Sequence, residues 1–166
     1  MLVSANGTYN FPLNNNTLPV SVTISGTSYT NAFIEVTTSA LKHPNNANTG
    51  NFLNRFWNVT VGGVTNPNYS LTAAYADPAD ITGDELKIAA GIWGGGLPWT
   101  KQGVANSGAN TISLAGITAT SLQFTGLNND LPTVSISANP SATICQGTST
   151  TLTATATGDP GLTYSW

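Results

Sequence analysis

Charged side chains are scarce in this 166-residue chain, which has four Lys and Arg residues against seven Asp and Glu residues, for a net charge of −3. Binding to nucleic-acid phosphates or to an anionic membrane surface requires clustered Lys and Arg side chains. No apolar run approaches the roughly 20 residues that span a bilayer. We therefore expect no nucleic-acid partner and no membrane insertion.

Strong helix formers such as Glu, Lys, Arg, Gln and Met are also scarce, whereas Thr, Asn and Ser are abundant. Thr is β-branched and suits a pleated, partly solvent-exposed strand surface, while Asn, Gly and Pro are turn residues. Trp, Tyr and Phe recur with alternating Val, Ile and Leu, which argues against disorder. This composition predicts an all-β fold.

Strand signals recur at the spacing typical of a β-sandwich or β-barrel. In one of them Val20, Val22 and Ile24 fall on one face, and in another Phe33 beside Ile34 leaves the facing open. The predicted segments are 7–11, 19–24, 32–37, 52–61, 69–75, 86–90, a hairpin over 92–100, 111–115 and 121–125. We interpret this part of the chain as an antiparallel β-sandwich.

The composition changes after a linker at 127–132 that contains Asn and Pro and follows Gly126, and beyond it Thr, Ser and Ala dominate. This change predicts a β-sandwich module over residues 1–131 and a second domain over 132–166. Segments 134–138 and 150–156 read as strands, and 162–166 begins a third. Three strands cannot enclose a core of their own, so we expect the second domain to be incomplete.

Cysteine occurs once, at Cys145, so the chain cannot form an internal disulfide. Uncharged β chains rich in Thr and Asn are commonest outside cells. The first residues, Met1-Leu-Val-Ser-Ala-Asn, lack the charged and apolar regions of a signal peptide. We expect an extracellular or cell-surface piece of a longer protein.

The second region resembles the start of the Ig-like and PKD-like modules that repeat in giant surface proteins of type IX-secreting gliding bacteria. The matching residues are Asn139-Pro, Ile144-Cys-Gln-Gly-Thr, Thr151-Leu-Thr-Ala and Tyr164-Ser-Trp166. The resemblance implies that Cys145 is half of a disulfide whose partner lies outside this chain. It also implies that Trp166 is a core residue.

The region before the linker is similar to β-sandwich modules of the same adhesin-like proteins. The matching features are Tyr9-Asn-Phe-Pro12, Lys42-His-Pro-Asn-Asn46 leading to Leu53-Asn-Arg-Phe-Trp57, Trp99-Thr100 and segment 116–125. The resemblance implies a secreted adhesin-like setting and names no ligand.

An acidic loop contains Asp77, Asp80, Asp84 and Glu85. Clustered carboxylates and loop carbonyls supply the hard oxygen ligands that calcium prefers, although the spacing does not match an EF-hand. Solvated turn acids explain the cluster equally well, with Asp84 capping a short turn. Calcium is therefore the one candidate cofactor.

Trp93 and Trp99 flank the Gly-Gly-Gly-Leu-Pro bend of the predicted hairpin. Two exposed indoles are a candidate platform for stacking on sugar rings, with nearby Asn or Asp side chains binding hydroxyls. In the alternative, the hairpin sends both indoles into the core, where aromatic side chains bury most area. The resemblance favours the core for Trp99, and alternation predicts a core position for Trp57.

No residue pattern indicates catalysis. His43, the only histidine, lies in a Pro-Asn loop without a G-x-S-x-G elbow and without the ligands that zinc requires. Glu35 is mid-strand, where an ion pair with Arg55 is a better expectation than a glycosidase role or a covalent Lys cross-link. We expect no catalytic residue.

The sequence therefore predicts a non-enzymatic structural and adhesion module of a longer multidomain bacterial surface or fibre protein. One alternative is a filament subunit that assembles by β-strand addition, and another is a carbohydrate-binding module. The expected partners are neighbouring Ig-like domains of the same polypeptide, copies of the chain itself, and surface glycans.

Overall fold

The computed structural model describes residues 1–14, 17–130, 133–139, 143, 145–147 and 149–157. The described residues form an all-β fold in which every strand pairing is antiparallel, as the composition predicts. The contacts divide the chain into two units, Met1–Asn129 and Asp130–Trp166.

The first unit is a β-sandwich. Its strands are β1 Gly7–Phe11, β2 Val20–Ser25, β3 Ser28–Ser39, β4 Phe52–Leu53, β5 Phe56–Thr65, β6 Asn68–Ala74, β7 Ile81–Thr82, β8 Ile88–Trp93, β9 Thr100–Val104, β10 Thr111–Ile117 and β11 Ser121–Asn128. In the described residues, one sheet has the order β1-β2-β6-β10, the other has the order β3-β5-β11-β8-β9, and β4 pairs with β7. A 3-10 turn, Glu85–Lys87, precedes β8.

The core lies between these two sheets, and inward side chains alternate with outward ones along most strands. On β8 and β11, four consecutive residues are buried. Ile34 on β3 is fully buried, whereas the neighbouring Phe33 is 37% exposed, which settles the facing that the sequence left open. Trp57 is fully buried and stacks on Phe124, with ring centroids 4.9 Å apart and planes 12° apart. The predicted core position of Trp57 is confirmed.

The predicted strand over 52–61 is in fact two strands, because the chain bends at Asn54 and Arg55 between β4 and β5. β5 then continues through Gly62 and Gly63 to Thr65, past the end of the predicted segment. Gly63 has φ +69°, and a Cβ there would lie 2.3 Å from the carbonyl oxygen of Thr30. Glycine therefore allows close approach to β3 where the register between the two strands shifts.

The first three residues run along the outer edge of β3. The Met1 ammonium donates to the Ile34 carbonyl at 2.8 Å, the Ile34 N–H donates back to the Met1 carbonyl at 2.9 Å, and the Val3 N–H donates to the Ala32 carbonyl at 3.0 Å. The chain then enters the other sheet at β1. The N-terminal segment thereby protects part of an edge that would otherwise be open.

In the second unit, β12 (Thr133–Asn139) pairs with β13 (Thr151–Thr157) in an antiparallel ladder. These strands match the segments predicted at 134–138 and 150–156. Val134, Ile136 and Leu152 are exposed, as is Cys145. The predicted third strand and Trp166 lie outside the described residues, so the core position of Trp166 stays a prediction.

Within the described part of the chain, no helix is long and apolar enough to cross a membrane.

Candidate functional site

A row of outward-facing side chains crosses the five-stranded sheet. Thr37 on β3 lies opposite Asn58 on β5, Asn58 lies opposite Gln123 on β11, and Gln123 lies opposite Trp93 on β8. Thr37, Asn58 and Gln123 each adjoin a buried residue on their own strands, and Trp93 adjoins a partly buried one. The row therefore stands on the outer face of the sandwich. Polar amides and an indole are thus held at fixed inter-strand spacing.

His43 lies over this row and is 1% exposed. The backbone N–H of Asn45 donates to His43 Nδ1 at 3.2 Å, and His43 Nε2 is 3.1 Å from Gln123 Oε1. Because Nδ1 accepts a hydrogen bond, the ring proton is on Nε2, which donates to Gln123. Two contacts therefore fix both the tautomer and the orientation of this imidazole.

The hydrogen bonds continue in one direction across the row. Gln123 Nε2 donates to Asn58 Oδ1 at 2.6 Å, and Asn58 Nδ2 donates to Thr37 Oγ1 at 3.1 Å. From Asn45 through His43 to Thr37, each group donates to the next, so the hydrogen bonds form one directional chain. Hydrogen bonds in such a chain polarise and strengthen one another. The amide orientations of Gln123 and Asn58 follow from this directionality.

Aromatic rings surround His43. Its ring centroid is 4.9 Å from Trp99, 5.0 Å from Phe56 and 5.9 Å from Trp93. The two indoles contact each other, with centroids 4.9 Å apart and planes tilted by 47°. Trp99 Nε1 also donates to the Asn45 carbonyl at 3.3 Å, which ties the β8–β9 hairpin to the His43 loop.

Gly91 on β8 lies beside Trp99. A Cβ at this position would lie 3.5 Å from Trp99 Cε3 and 2.2 Å from Leu127 Cδ1. A methyl group at Gly91 would therefore make ordinary contact with the indole, and the side chain that would have to move is Leu127. We call the group of His43, Phe56, Asn58, Trp93, Trp99 and Gln123 the aromatic–amide surface.

The structure brings the two predicted ligand residues, Trp93 and Trp99, into direct contact. Both indoles are half-buried, and neither belongs to the hydrophobic core between the sheets. They are packed on the outer face instead, so the inward orientation considered as the alternative does not occur. Glycan binding by these residues stays a prediction.

Sequence reasoning missed His43, Asn58 and Gln123. His43 looked isolated because its hydrogen-bond partner Gln123 is 80 residues away in the chain. The available signal was alternation: Asn58 and Gln123 each lie between apolar residues of their own strand, which predicts that both face outward. The sequence pattern does not predict which outer face the loop containing His43 covers.

In the acidic loop, Asp80, Asp84 and Glu85 each contact a different partner. Asp80 is buried and forms an ion pair with Arg55, Asp84 accepts from the Leu86 N–H at 3.1 Å, and Glu85 accepts from the Tyr75 hydroxyl. Asp77 is exposed. Among the residues that the structure describes, no three His, Cys, Asp or Glu side chains form a group able to hold a metal. Calcium binding stays a prediction.

The expected ion pair between Arg55 and Glu35 is wrong. Glu35 is exposed on the outer face of β3, whereas Arg55 is buried between β4 and β5 and contacts Asp80. The expectation failed because alternation on β3 turns Glu35 away from the interior, while the loop folds Asp80 back towards Arg55.

Two buried tyrosines hold their protons more tightly than usual. Burial raises the pKa of Tyr69 to about 12, and its hydroxyl donates to the Ala119 carbonyl at 2.9 Å. The pKa of Tyr75 is also raised, first by burial and then by its hydrogen bond to Glu85 and the negative charges of Glu85 and Asp77. Both side chains therefore act as neutral donors at ordinary pH.

No protein-family model, curated protein or solved structure matches this chain. The geometry of the aromatic–amide surface is therefore the main structural basis for a function.

Proposed function

We propose that this chain is a non-enzymatic structural and adhesion module of a longer extracellular bacterial surface or fibre protein. The observation that carries the proposal is the aromatic–amide surface, in which Trp93 and Trp99 are held half-exposed on the outside of a sandwich. Contiguous apolar groups left on a protein surface are typical of sites that contact a partner.

The rigid β-sandwich that carries the aromatic–amide surface suits a role in adhesion. The core runs across both sheets of the first unit, and each sheet pairs its strands side by side. Short antiparallel strands buried between two layers give stiffness, which suits a unit that transmits force along a fibre. The extracellular setting and the longer parent protein rest on the resemblance to adhesin-like modules.

The outer face of the four-stranded sheet supports the same function. Its outward side chains are mostly hydroxyl or amide groups, with the two alanines Ala74 and Ala115, and none of them is charged. Hydroxyl pairs join neighbouring strands between Thr8 and Thr23 at 2.8 Å and between Thr72 and Ser113 at 2.9 Å. An uncharged polar face forms hydrogen bonds with varied neighbours without strong charge preference. The polar residues of this face are Thr8, Asn10, Ser21, Thr23, Ser25, Asn68, Ser70, Thr72, Thr111 and Ser113.

Adhesion under flow tests the proposal. Beads coated with the full chain would pass over surfaces coated separately with bacterial envelope polysaccharide and with extracellular protein, at increasing shear. We expect retention on at least one surface, reduced to the level of uncoated beads by a Trp93→Ala/Trp99→Ala double variant. Phe33→Ala is the matched control, since Phe33 is also an exposed aromatic residue and lies, like Trp93, on the outer face of the five-stranded sheet.

The proposal fails if the wild-type beads detach from both surfaces as readily as uncoated beads, or if the purified chain turns over a substrate. Retention that Phe33→Ala and the double variant weaken equally would also contradict it, because adhesion would then not depend on the aromatic–amide surface.

A second candidate function is assembly by β-strand addition. The observation that favours it is the sheet of β12 and β13, which has only these two strands among the described residues and so leaves an edge on each strand. We expect concentration-dependent polymers of the full chain in analytical ultracentrifugation, and none after deletion of residues 130–166. A full chain that sediments as a monomer at all concentrations would remove this candidate.

A further inference from the structure

We infer that the aromatic–amide surface binds the end of a neutral saccharide chain, with one sugar ring against the indoles of Trp93 and Trp99 and its hydroxyls on the amides of Gln123 and Asn58. The inference rests on the proposed function and names the partner for the same surface.

The two indoles supply the apolar part of the site. An indole presents a broad apolar face and one N–H donor, which suits a ligand that is apolar on one side and polar at its edge. The C–H face of a pyranose ring has this character. Trp99 donates its N–H to Asn45, whereas the N–H of Trp93 meets no acceptor among the described residues and is left for a ligand.

The angle between the indoles sets how many sugar rings they can hold. Their centroids are only 4.9 Å apart and their planes are tilted by 47°, so the rings contact each other and present one stacking position. A flat crystalline polysaccharide would require coplanar rings spaced along its surface. The geometry therefore favours a single sugar ring at a chain end.

The two amides supply matched donors and acceptors. A primary amide has two N–H donors and an oxygen with two lone pairs. Gln123 and Asn58 each use one N–H and one lone pair in the directional chain, so each keeps one donor and one acceptor on a half-exposed side. A sugar hydroxyl both donates and accepts, and neighbouring hydroxyls can use both functions of each amide.

Charge excludes acidic and basic sugars as the best ligands. The aromatic–amide surface contains no carboxylate, ammonium or guanidinium group. On the sheet, the nearest charged outward side chains by register are Glu35 and Lys101, which have opposite signs. In the loop, the ammonium of Lys42 beside His43 donates to the Asn48 carbonyl at 2.5 Å and lies over the Phe52 ring. The chain as a whole has a net charge of −3. A sulfated, sialylated or uronic acid sugar would lose solvation of its charge without gaining a counter-charge.

His43 is a positioning residue in this site. It contacts both indoles and Phe56, and its Nε2–H fixes the amide of Gln123. Holding these groups in place before the ligand arrives reduces the ordering cost of binding. The site is therefore largely formed in the unliganded chain.

A glycan array probed with the full chain tests the inference. The array would carry neutral oligosaccharides alongside their sulfated, sialylated and uronic acid counterparts. Titration of the intrinsic tryptophan fluorescence with the best-bound glycan would follow. We expect binding to neutral glycans that share a terminal residue, and weaker binding to each acidic counterpart.

Variants at three positions then locate the site. We expect Trp93→Ala and Trp99→Ala to weaken binding by about tenfold or more. Gln123→Glu keeps the shape but replaces the amide donor to Asn58 with a carboxylate, and should weaken neutral glycans similarly. Phe33→Ala should bind as the wild type does. Urea unfolding checks that each variant is folded, and Trp99→Leu, which has no aromatic face, replaces Trp99→Ala if the latter is not.

Absence of neutral-glycan binding, preference for the acidic counterparts, or full affinity in folded Trp99 variants would each overturn the inference. These outcomes are separate from failure of the proposed function. Beads that adhere to protein through Trp93 and Trp99 while the array is negative would leave adhesion standing and remove the saccharide.

Discussion

Arg55 and Asp80 form a buried two-point ion pair that ties the start of β5 to the acidic loop. Arg55 Nε is 2.6 Å from Asp80 Oδ2, and Arg55 Nη2 is 3.2 Å from Asp80 Oδ1. Asp80 Oδ2 also accepts from the Ala76 N–H at 2.7 Å, and the Arg55 carbonyl accepts from Thr125 Oγ1 at 2.6 Å. The pair therefore connects β5, β11 and the loop after β6.

Removing one partner of this pair should destabilise the first unit strongly. Asp80→Ala leaves the Arg55 guanidinium buried without its counter-charge, for which we expect a loss of about 3–5 kcal/mol in the free energy of unfolding. Urea unfolding followed by tryptophan fluorescence measures it. The control is Asp77→Ala, at an exposed site in the same loop, which should stay within about 0.5 kcal/mol of the wild type. Equal losses in the two variants would show that the ion pair is not the stabilising contact.

Two glycines should respond differently to a methyl group. A Cβ at Gly126 would lie 2.5 Å from Leu53 Cγ and 2.6 Å from Ile88 Cγ2, in the buried core. A Cβ at Gly62 would lie 2.3 Å from the ring of Phe33, which is partly exposed and can swing away. We expect Gly126→Ala to cost about 1–3 kcal/mol and Gly62→Ala to cost less. Thermal unfolding ranks the two variants, and the reverse order would contradict this reading of the packing.

Stability should fall at high pH through Tyr69. The pKa of Tyr69 is raised in the folded chain to about 12, above the ordinary tyrosine value of about 10. The folded state therefore holds this proton more tightly, so its stabilising effect is full below pH about 10 and is lost as the pH rises towards about 12. One tyrosine contributes at most about 1.4 kcal/mol per pH unit.

Urea unfolding at several alkaline pH values measures this slope. Tyr69→Phe, which cannot ionise, should show a shallower decline over the same range, although it also loses the hydrogen bond to Ala119. A decline of unchanged steepness in Tyr69→Phe would assign the pH dependence to other groups.

Loss of the His43 hydrogen bonds should loosen the aromatic–amide surface. His43→Phe keeps an aromatic ring but leaves the Asn45 N–H and Gln123 Oε1 without a partner, for which we expect a cost of about 1–3 kcal/mol. Near-ultraviolet circular dichroism should also change as Trp93 and Trp99 lose their fixed orientation. Asn45→Ala is the control, because only backbone groups of Asn45 take part. A His43→Phe spectrum identical to the wild type would show that packing alone orients the indoles.

Much of the fold could be predicted because the evidence for a strand is local. Alternation of Val20, Val22 and Ile24 placed β2, and the same pattern placed Trp57 in the core. Period-two alternation records which side chains face inward whatever the strand's partners are. The turn at Arg55 and the continuation through Gly63 were missed, because bends and register shifts depend on the neighbouring strand.

The sequence by itself determined that this protein is all-β, where most strands lie, and that Trp93 and Trp99 flank one bend. Only the tertiary structure decided that β3, β5, β11 and β8 are neighbours, that Arg55 pairs with Asp80 instead of Glu35, and that His43 is buried against the indoles. The reason is that alternation fixes the face of each residue within its own strand. Which faces and loops meet depends on the order and register of strands far apart in the chain.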